Sequence, residues 1–144
     1  RWGGRVPCIM VWFDDVMGSQ LMLGRGARKI SHLCIYHRHI GQFKTGGAVG
    51  CSLIFNVQAY KSAQGGLPKA LRNNLTLMFL GKTKSEKELG EVADEVGGEV
   101  SREVFYRLYE QATNEPFSML MIDFHPKHNH PSMFRKGLDT FLVP

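Results

Sequence analysis

The residues best suited to chemistry come early. Val11-Trp12-Phe13-Asp14-Asp15 sets two carboxylates directly behind an apolar run. The carboxyl ends of buried strands are where open α/β sheets bind ligands. Two adjacent carboxylates there can hold Mg²⁺ through its waters and polarise an attacking water. This is the form of a Walker B element, although an apolar run followed by two acids also occurs as a strand-ending turn. Asn56 and Gln58 stand at the end of a second apolar run, Cys51 to Val57. Their carboxamides suit a sensor that bridges water and phosphate at the same sheet edge; a plain turn is again the alternative. Arg72 lies in Leu67-Pro68-Lys69-Ala70-Leu71-Arg72-Asn73-Asn74, just ahead of a third run. An arginine so placed can stabilise charge on a transferring phosphoryl group, or simply form a surface salt bridge.

Other groups carry weaker signals. Tyr36-His37-Arg38-His39 collects cations at the end of a helical pattern, which the helix dipole favours on its own. His125, His128 and His130 follow an H-x-x-H-x-H spacing among prolines. They read as a polar loop before they read as metal ligands. Cys8, Cys34 and Cys51 form no C-x-x-C pair. Set among apolar residues, they read as buried thiols of a reducing compartment. No G-x-x-x-x-G-K-[ST] occurs, and Gly46 to Cys51 has glycines without the lysine that a phosphate cradle needs.

The elements that must position these residues follow from periodicity. Val6 to Phe13 is a continuous apolar run, expected as a strand buried on both faces, and Cys51 to Val57 is a second buried-strand candidate; Leu75 to Leu80 and Phe117 to Phe124 are expected as further strands. Arg28 to His39 is helical, with Ile30, Leu33, Cys34 and His37 on one stripe. Pro68 suits the start of a short helix, and Gly65-Gly66 ends the polar stretch before it. Ser85 and Glu88 form a capping box ahead of Leu89, Val92, Ala93 and Val96, with Gly97-Gly98 as the stop. Ser101 caps a further helix carrying Val104, Phe105, Leu108, Tyr109 and Ala112. The tail from His125 reads as loop, with a short strand over Thr140 to Val143. Strands alternating with helices predict an α/β fold whose mainly parallel sheet is flanked by helices.

Composition bounds the size and the partners. The chain has 144 residues, 43% of them hydrophobic, and is expected to fold as one domain over 1–144. Arg1 heads the chain and an apolar strand is under way by Val6, so residue 1 is not expected to be the natural start. No apolar run approaches the ~20 residues of a membrane span. Residues 1–72 hold ten Lys/Arg against two Asp/Glu, a net of +8; residues 73–144 hold eight against eleven, a net of −3. The basic half, including Arg25, Arg28, Lys29, Arg38, Lys44, Lys61 and Lys69, suits a polyanion.

Taken in order, these elements resemble the C-terminal part of an FtsK–HerA superfamily P-loop ATPase. The likeness is nearest to the genome-packaging ATPases of virophages, polinton-like viruses and large nucleocytoplasmic DNA viruses. It rests on the strand ending in Asp14-Asp15, the helix ending in Arg38-His39 and the strand reaching Gln58. It continues through Leu67 to Asn74, the strand LTLMFLGK, the two-helix stretch and a terminal strand. The resemblance implies a partial RecA-like domain that uses ATP and Mg²⁺. Asp14 would organise the metal, Asp15 would stand as the catalytic acid, and Gln58 would be the sensor, with Asn56 beside it. Arg72 would be an arginine finger reaching a neighbour's nucleotide. The family works as a homo-oligomeric ring around double-stranded DNA at the capsid's portal vertex. That implies action in the host cytoplasm or viral factory, or on the virion. Arg28, Lys29, Arg38, Lys44 and Lys61 would then face DNA. The missing phosphate-binding lysine departs from the family, and the fragment alone is expected to be inactive. The alternative is a non-catalytic α/β nucleic-acid-binding or assembly module. A weaker one is a nuclease using Asp14, Asp15 and Asp123.

Overall fold

A computed structural model describes residues 6–44, 46–61, 66–96 and 98–144. The chain divides into two compact units, Arg1–Asn74 and Leu75–Pro144. In the first unit, β1 (Met10–Asp14) leads through α1 (Gly24–Tyr36) and a 3-10 turn (His37–His39) to β2 (Ser52–Asn56), and then to the short α2 (Lys69–Arg72). One helix between two strands returns the chain in its original direction, so β1 and β2 pair in parallel. Met10 stands opposite Ser52 and Asp14 opposite Asn56. Phe13 and Phe55 are partners in that register, and their rings stack at 4.5 Å with an 8° interplanar angle. Ile30 and Cys34 on α1 and Leu71 on α2 are buried, as are Met22, Tyr60 and Leu67.

The second unit holds β3 (Leu77–Leu80), α3 (Glu86–Val96), α4 (Arg102–Ala112), β4 (Leu120–Asp123), β5 (Phe134–Lys136) and β6 (Thr140–Leu142). Its sheet runs β3-β4-β5-β6, and every neighbouring pair is antiparallel. Ser85 Oγ accepts from Glu88 N at 3.3 Å, and Ser101 Oγ from Val104 N at 3.4 Å. Ser101 is the expected cap, and Ser85 supplies the serine half of the expected capping box while its own N donates to Thr83 Oγ1 at 3.1 Å. The apolar stripes of both helices are buried: Leu89, Val92, Ala93 and Val96 on α3, and Phe105, Leu108, Tyr109 and Ala112 on α4. Leu120, Ile122 and Phe134 are fully enclosed, which places the core where the central strands meet the helices. Tyr109 ties α4 to the segment after β3: its hydroxyl accepts from Thr83 N at 2.7 Å and donates to Gly81 O at 3.2 Å.

The fold is therefore mixed α/β, with a two-stranded parallel sheet and a four-stranded antiparallel one. This corrects the expectation of a mainly parallel sheet. Two helices separate β3 from β4, so the chain reverses direction an odd number of times and β4 runs against β3. β4, which has a neighbour on each side, is buried at Leu120, Met121 and Ile122. The expected burial fails for β1 and β2, each with a single neighbour: Trp12 is 64% exposed, and Met10, Val11 and Ile54 are also exposed. β5 was expected as loop; it is the first arm of a hairpin that turns at Gly137. Gly65 and Gly97, read as loop and helix stop, lie outside the described residues. Among the described residues no helix is long and apolar enough to cross a membrane.

Candidate functional site

The parallel pairing of β1 and β2 brings four of the chosen residues together. Both strands end at the same edge, and the matched positions there are Asp14 and Asn56. Asn56 Nδ2 donates to Asp14 Oδ1 at 2.7 Å. One step further, Gln58 Nε2 donates to Asp15 Oδ1 at 3.0 Å. Asp15 N donates to Asn56 O at 3.3 Å, so the ladder continues past the strand end. Each carboxylate thus has one oxygen fixed by a carboxamide from the neighbouring strand. All four side chains are exposed. The register explains why the acid pair and the amide pair, 42 and 43 positions apart, meet two by two.

Asp15 leaves the strand with φ +48°. Aspartate tolerates this left-handed conformation better than most residues. Across this turn both carboxylates meet amides of the segment opposite, Asp14 at Asn56 and Asp15 at Gln58. What the pair can do chemically follows from its inventory. Carboxylates at an exposed strand end are hard oxygen ligands of the kind that hold a hydrated divalent cation. Their amide partners each engage one carboxylate oxygen, and both aspartates are exposed.

Arg72 is held elsewhere in the same unit. Its Nη1 donates to Leu67 O at 2.7 Å, and its guanidinium lies 5.5 Å from the centre of the Tyr60 ring. Leu67 N in turn donates to Tyr60 O at 3.1 Å. Tyr60, two residues beyond Gln58, therefore links the amide-bearing strand to Arg72. Sequence reading missed Tyr60, because a ring stacked under a cation twelve positions away leaves no local pattern. Lys61 sits at the same ring, its Nζ 5.8 Å from the centroid. Arg28 and Lys29 are exposed on α1, Arg38 on the 3-10 turn and Lys44 on the loop that follows.

The remaining candidates find structural roles. Asp123 on β4 accepts from His125 N at 3.0 Å and lies 3.7 Å from Arg135 Nη2. Arg135 also reaches His130 Nδ1 at 3.0 Å and covers the Phe141 ring at 4.3 Å. His130 is thus one wall of an arginine box, and no group of three metal-ligating side chains occurs among the described residues. Of the cysteines only Cys34 is buried; Cys8 is exposed, which corrects its reading as a core thiol. No protein-family model, curated protein or solved structure matches the chain.

Proposed function

We propose that the chain is the C-terminal part of an ATP-driven double-stranded DNA translocase of the FtsK–HerA type, one that packages a viral genome into capsids. The observation that carries this reading is the matched end of the parallel pair, where Asn56 holds Asp14 and Gln58 holds Asp15. On this reading β1 and β2 belong to a RecA-like sheet. Asp14 and Asp15 fit Mg²⁺ held largely through its waters, because Mg²⁺ is bound by one or two carboxylates plus substrate phosphates. When bound, the metal neutralises charge on the phosphates and so favours their transfer. Asp14 would hold the metal, Asp15 would take a proton from an attacking water, and Gln58 would orient Asp15 through their hydrogen bond. Arg72 acts on charge at a neighbouring subunit of a homo-oligomeric ring, carried there by the Tyr60 and Leu67 contacts. The β- and γ-phosphates of ATP find no Walker A lysine among these 144 residues, so the chain alone does not fit the whole nucleotide.

The test extends the coding sequence upstream of Arg1. A G-x-x-x-x-G-K-[ST] within ~50 residues of Arg1 is expected, since the phosphate loop and the Walker B strand belong to one such domain. The longer protein should hydrolyse ATP, and Asp15→Asn should abolish turnover. The present chain alone should have no measurable turnover; activity in it that Asp15→Asn removes would overturn this account. A second reading is favoured by Asp15's left-handed turn, which the amide contacts would stabilise with no chemistry at all. That reading is a non-catalytic nucleic-acid-binding or assembly module, for which DNA binding is indifferent to nucleotide and Mg²⁺.

A further inference from the structure

α1 carries its charges the wrong way round for a helix. Arg25 lies in the first turn, with Arg28 and Lys29 just beyond it, while the first turn holds no acid and the last turn no base. The helix dipole disfavours cations at that end. Arg25 and Lys29 also stand one turn apart, where like charges repel. The unit has no acids other than Asp14 and Asp15, and each of these is engaged by an amide at the end of the parallel strands. At ~100° per residue, Arg25, Lys29, His32 and Tyr36 fall within about 60° of one another around the helix. Ile30 and Cys34, the buried residues of α1, lie on its far side. All four side chains of the stripe are exposed, and Tyr36 is half exposed. The His32 and Tyr36 rings stack on each other with centroids 4.2 Å apart and planes 28° apart.

We propose that this face of α1 binds unpaired DNA, with a base stacked on the Tyr36–His32 pair and the flanking phosphates at Lys29 and Arg25. A cationic track joined to an exposed aromatic stack is the chemistry that single strands select. The track runs ~17 Å from Arg25 to Tyr36, long enough for several consecutive phosphates. Charge complementarity makes the occupant an anion, since the stripe holds cations and no acid. The stacked rings make it planar: an acidic peptide would satisfy Arg25 and Lys29 and leave the rings without a partner. They also make it unpaired, because a base inside a duplex has both faces covered by its neighbours, whereas a single strand offers a free face. The inference rests on the reading of the partner as DNA and adds that part of it is single-stranded where α1 meets it. It does not depend on ATP, Mg²⁺ or the Asp14 and Asp15 edge.

Fluorescence anisotropy of the whole chain with a labelled short oligothymidylate, its duplex of equal length and the matching oligouridylate tests this. Tyr36→Leu keeps apolar bulk and a good helix former but removes the flat ring, so the fold and its melt are preserved. It weakens binding of the strand by about 5-fold to 150-fold, the range for one stacked base, and leaves the duplex unchanged. Tyr36→Phe retains strand binding. Arg25→Gln with Lys29→Gln weakens strand and duplex alike and flattens the salt slope of the strand by about 1.4, or ~0.7 for each phosphate contact. Trp12→Ser, at an exposed ring on β1, leaves strand binding unchanged. Duplex binding with a strand affinity that Tyr36→Leu does not alter overturns the single-strand inference and leaves the DNA reading standing. Failure to bind either DNA overturns both. A uridylate bound more tightly than the thymidylate, or a loss in Trp12→Ser as large as that in Tyr36→Leu, also overturns the assignment to unpaired DNA on α1.

Discussion

Cys34 and Cys8 show what position does to one functional group. Cys34 faces the interior of the first unit, and burial, partly offset by a backbone hydrogen bond, pushes its thiol up to about 11. Cys8 is exposed on the segment leading into β1. The thiolate is the reactive form. Alkylation at pH 8 with quantitation by mass spectrometry should therefore label Cys8 rapidly and Cys34 only when the chain unfolds. The linkage has a definite sign. A thiol whose folded value is raised favours the native state while protonated, so its contribution is intact below the unfolded value of 9.0. It is lost as pH rises toward about 11. Denaturant melts between these limits should lose stability in wild type and lose less of it in Cys34→Ala. The candidate site follows similar logic at residue level. Asp14, Asp15, Asn56 and Gln58 were legible as chemistry from residue type and position after apolar runs. Their pairing was not, because it depends on a register between strands 42 residues apart. Tyr60 and Arg135 were invisible for the same reason: a cation over a ring is a tertiary fact.

At the scale of elements, local signals were read well and direction was not. The stripes of α3 and α4 and their serine caps depend on neighbours three and four residues away, and sequence displays these directly. Strand direction depends on counting the helices between strands. One helix makes β1 and β2 parallel, and two make β3 and β4 antiparallel. An apolar run likewise does not say whether a strand will have one neighbour or two, which is why β4 is buried and β1 is not. The start of α1 illustrates a constraint that sequence shows only as a glycine. The chain turns so tightly before the helix that a Cβ on Gly26 would stand 2.0 Å from Gln20 O and 2.7 Å from Leu21 O. Both obstacles are backbone and cannot rotate away. Gly26→Ala should therefore cost about 3 kcal/mol or more, at or beyond the upper end of overpacking effects, despite alanine's better helix propensity. Urea unfolding followed by circular dichroism checks the sign: a stabilised Gly26→Ala would mean that the turn before α1 can open freely.

For the whole molecule, the charge boundary falls on the structural boundary. Asn73 and Asn74 are neutral, so the net of +8 belongs to Arg1–Asn74 and the net of −3 to Leu75–Pro144. A polyanion should then meet the first unit and be repelled by the second. Arg28 and Lys29 are exposed on α1, away from the amide-held carboxylates in sequence, so they can be changed without touching Asp14 or Asp15. Binding of a random-sequence duplex, followed by fluorescence anisotropy over a range of salt, separates contact from coincidence. Each phosphate contact adds about 0.9 to the slope of log affinity against log salt. Arg28→Glu with Lys29→Glu should therefore flatten that slope by about 2 and weaken binding uniformly across sequences. Lys84→Glu with Lys87→Glu, on the acidic unit, should change neither slope nor affinity beyond the effect of net charge. A slope indifferent to the first pair would remove DNA from the face that α1 presents, and a larger response to the second pair would move the contact to the other unit.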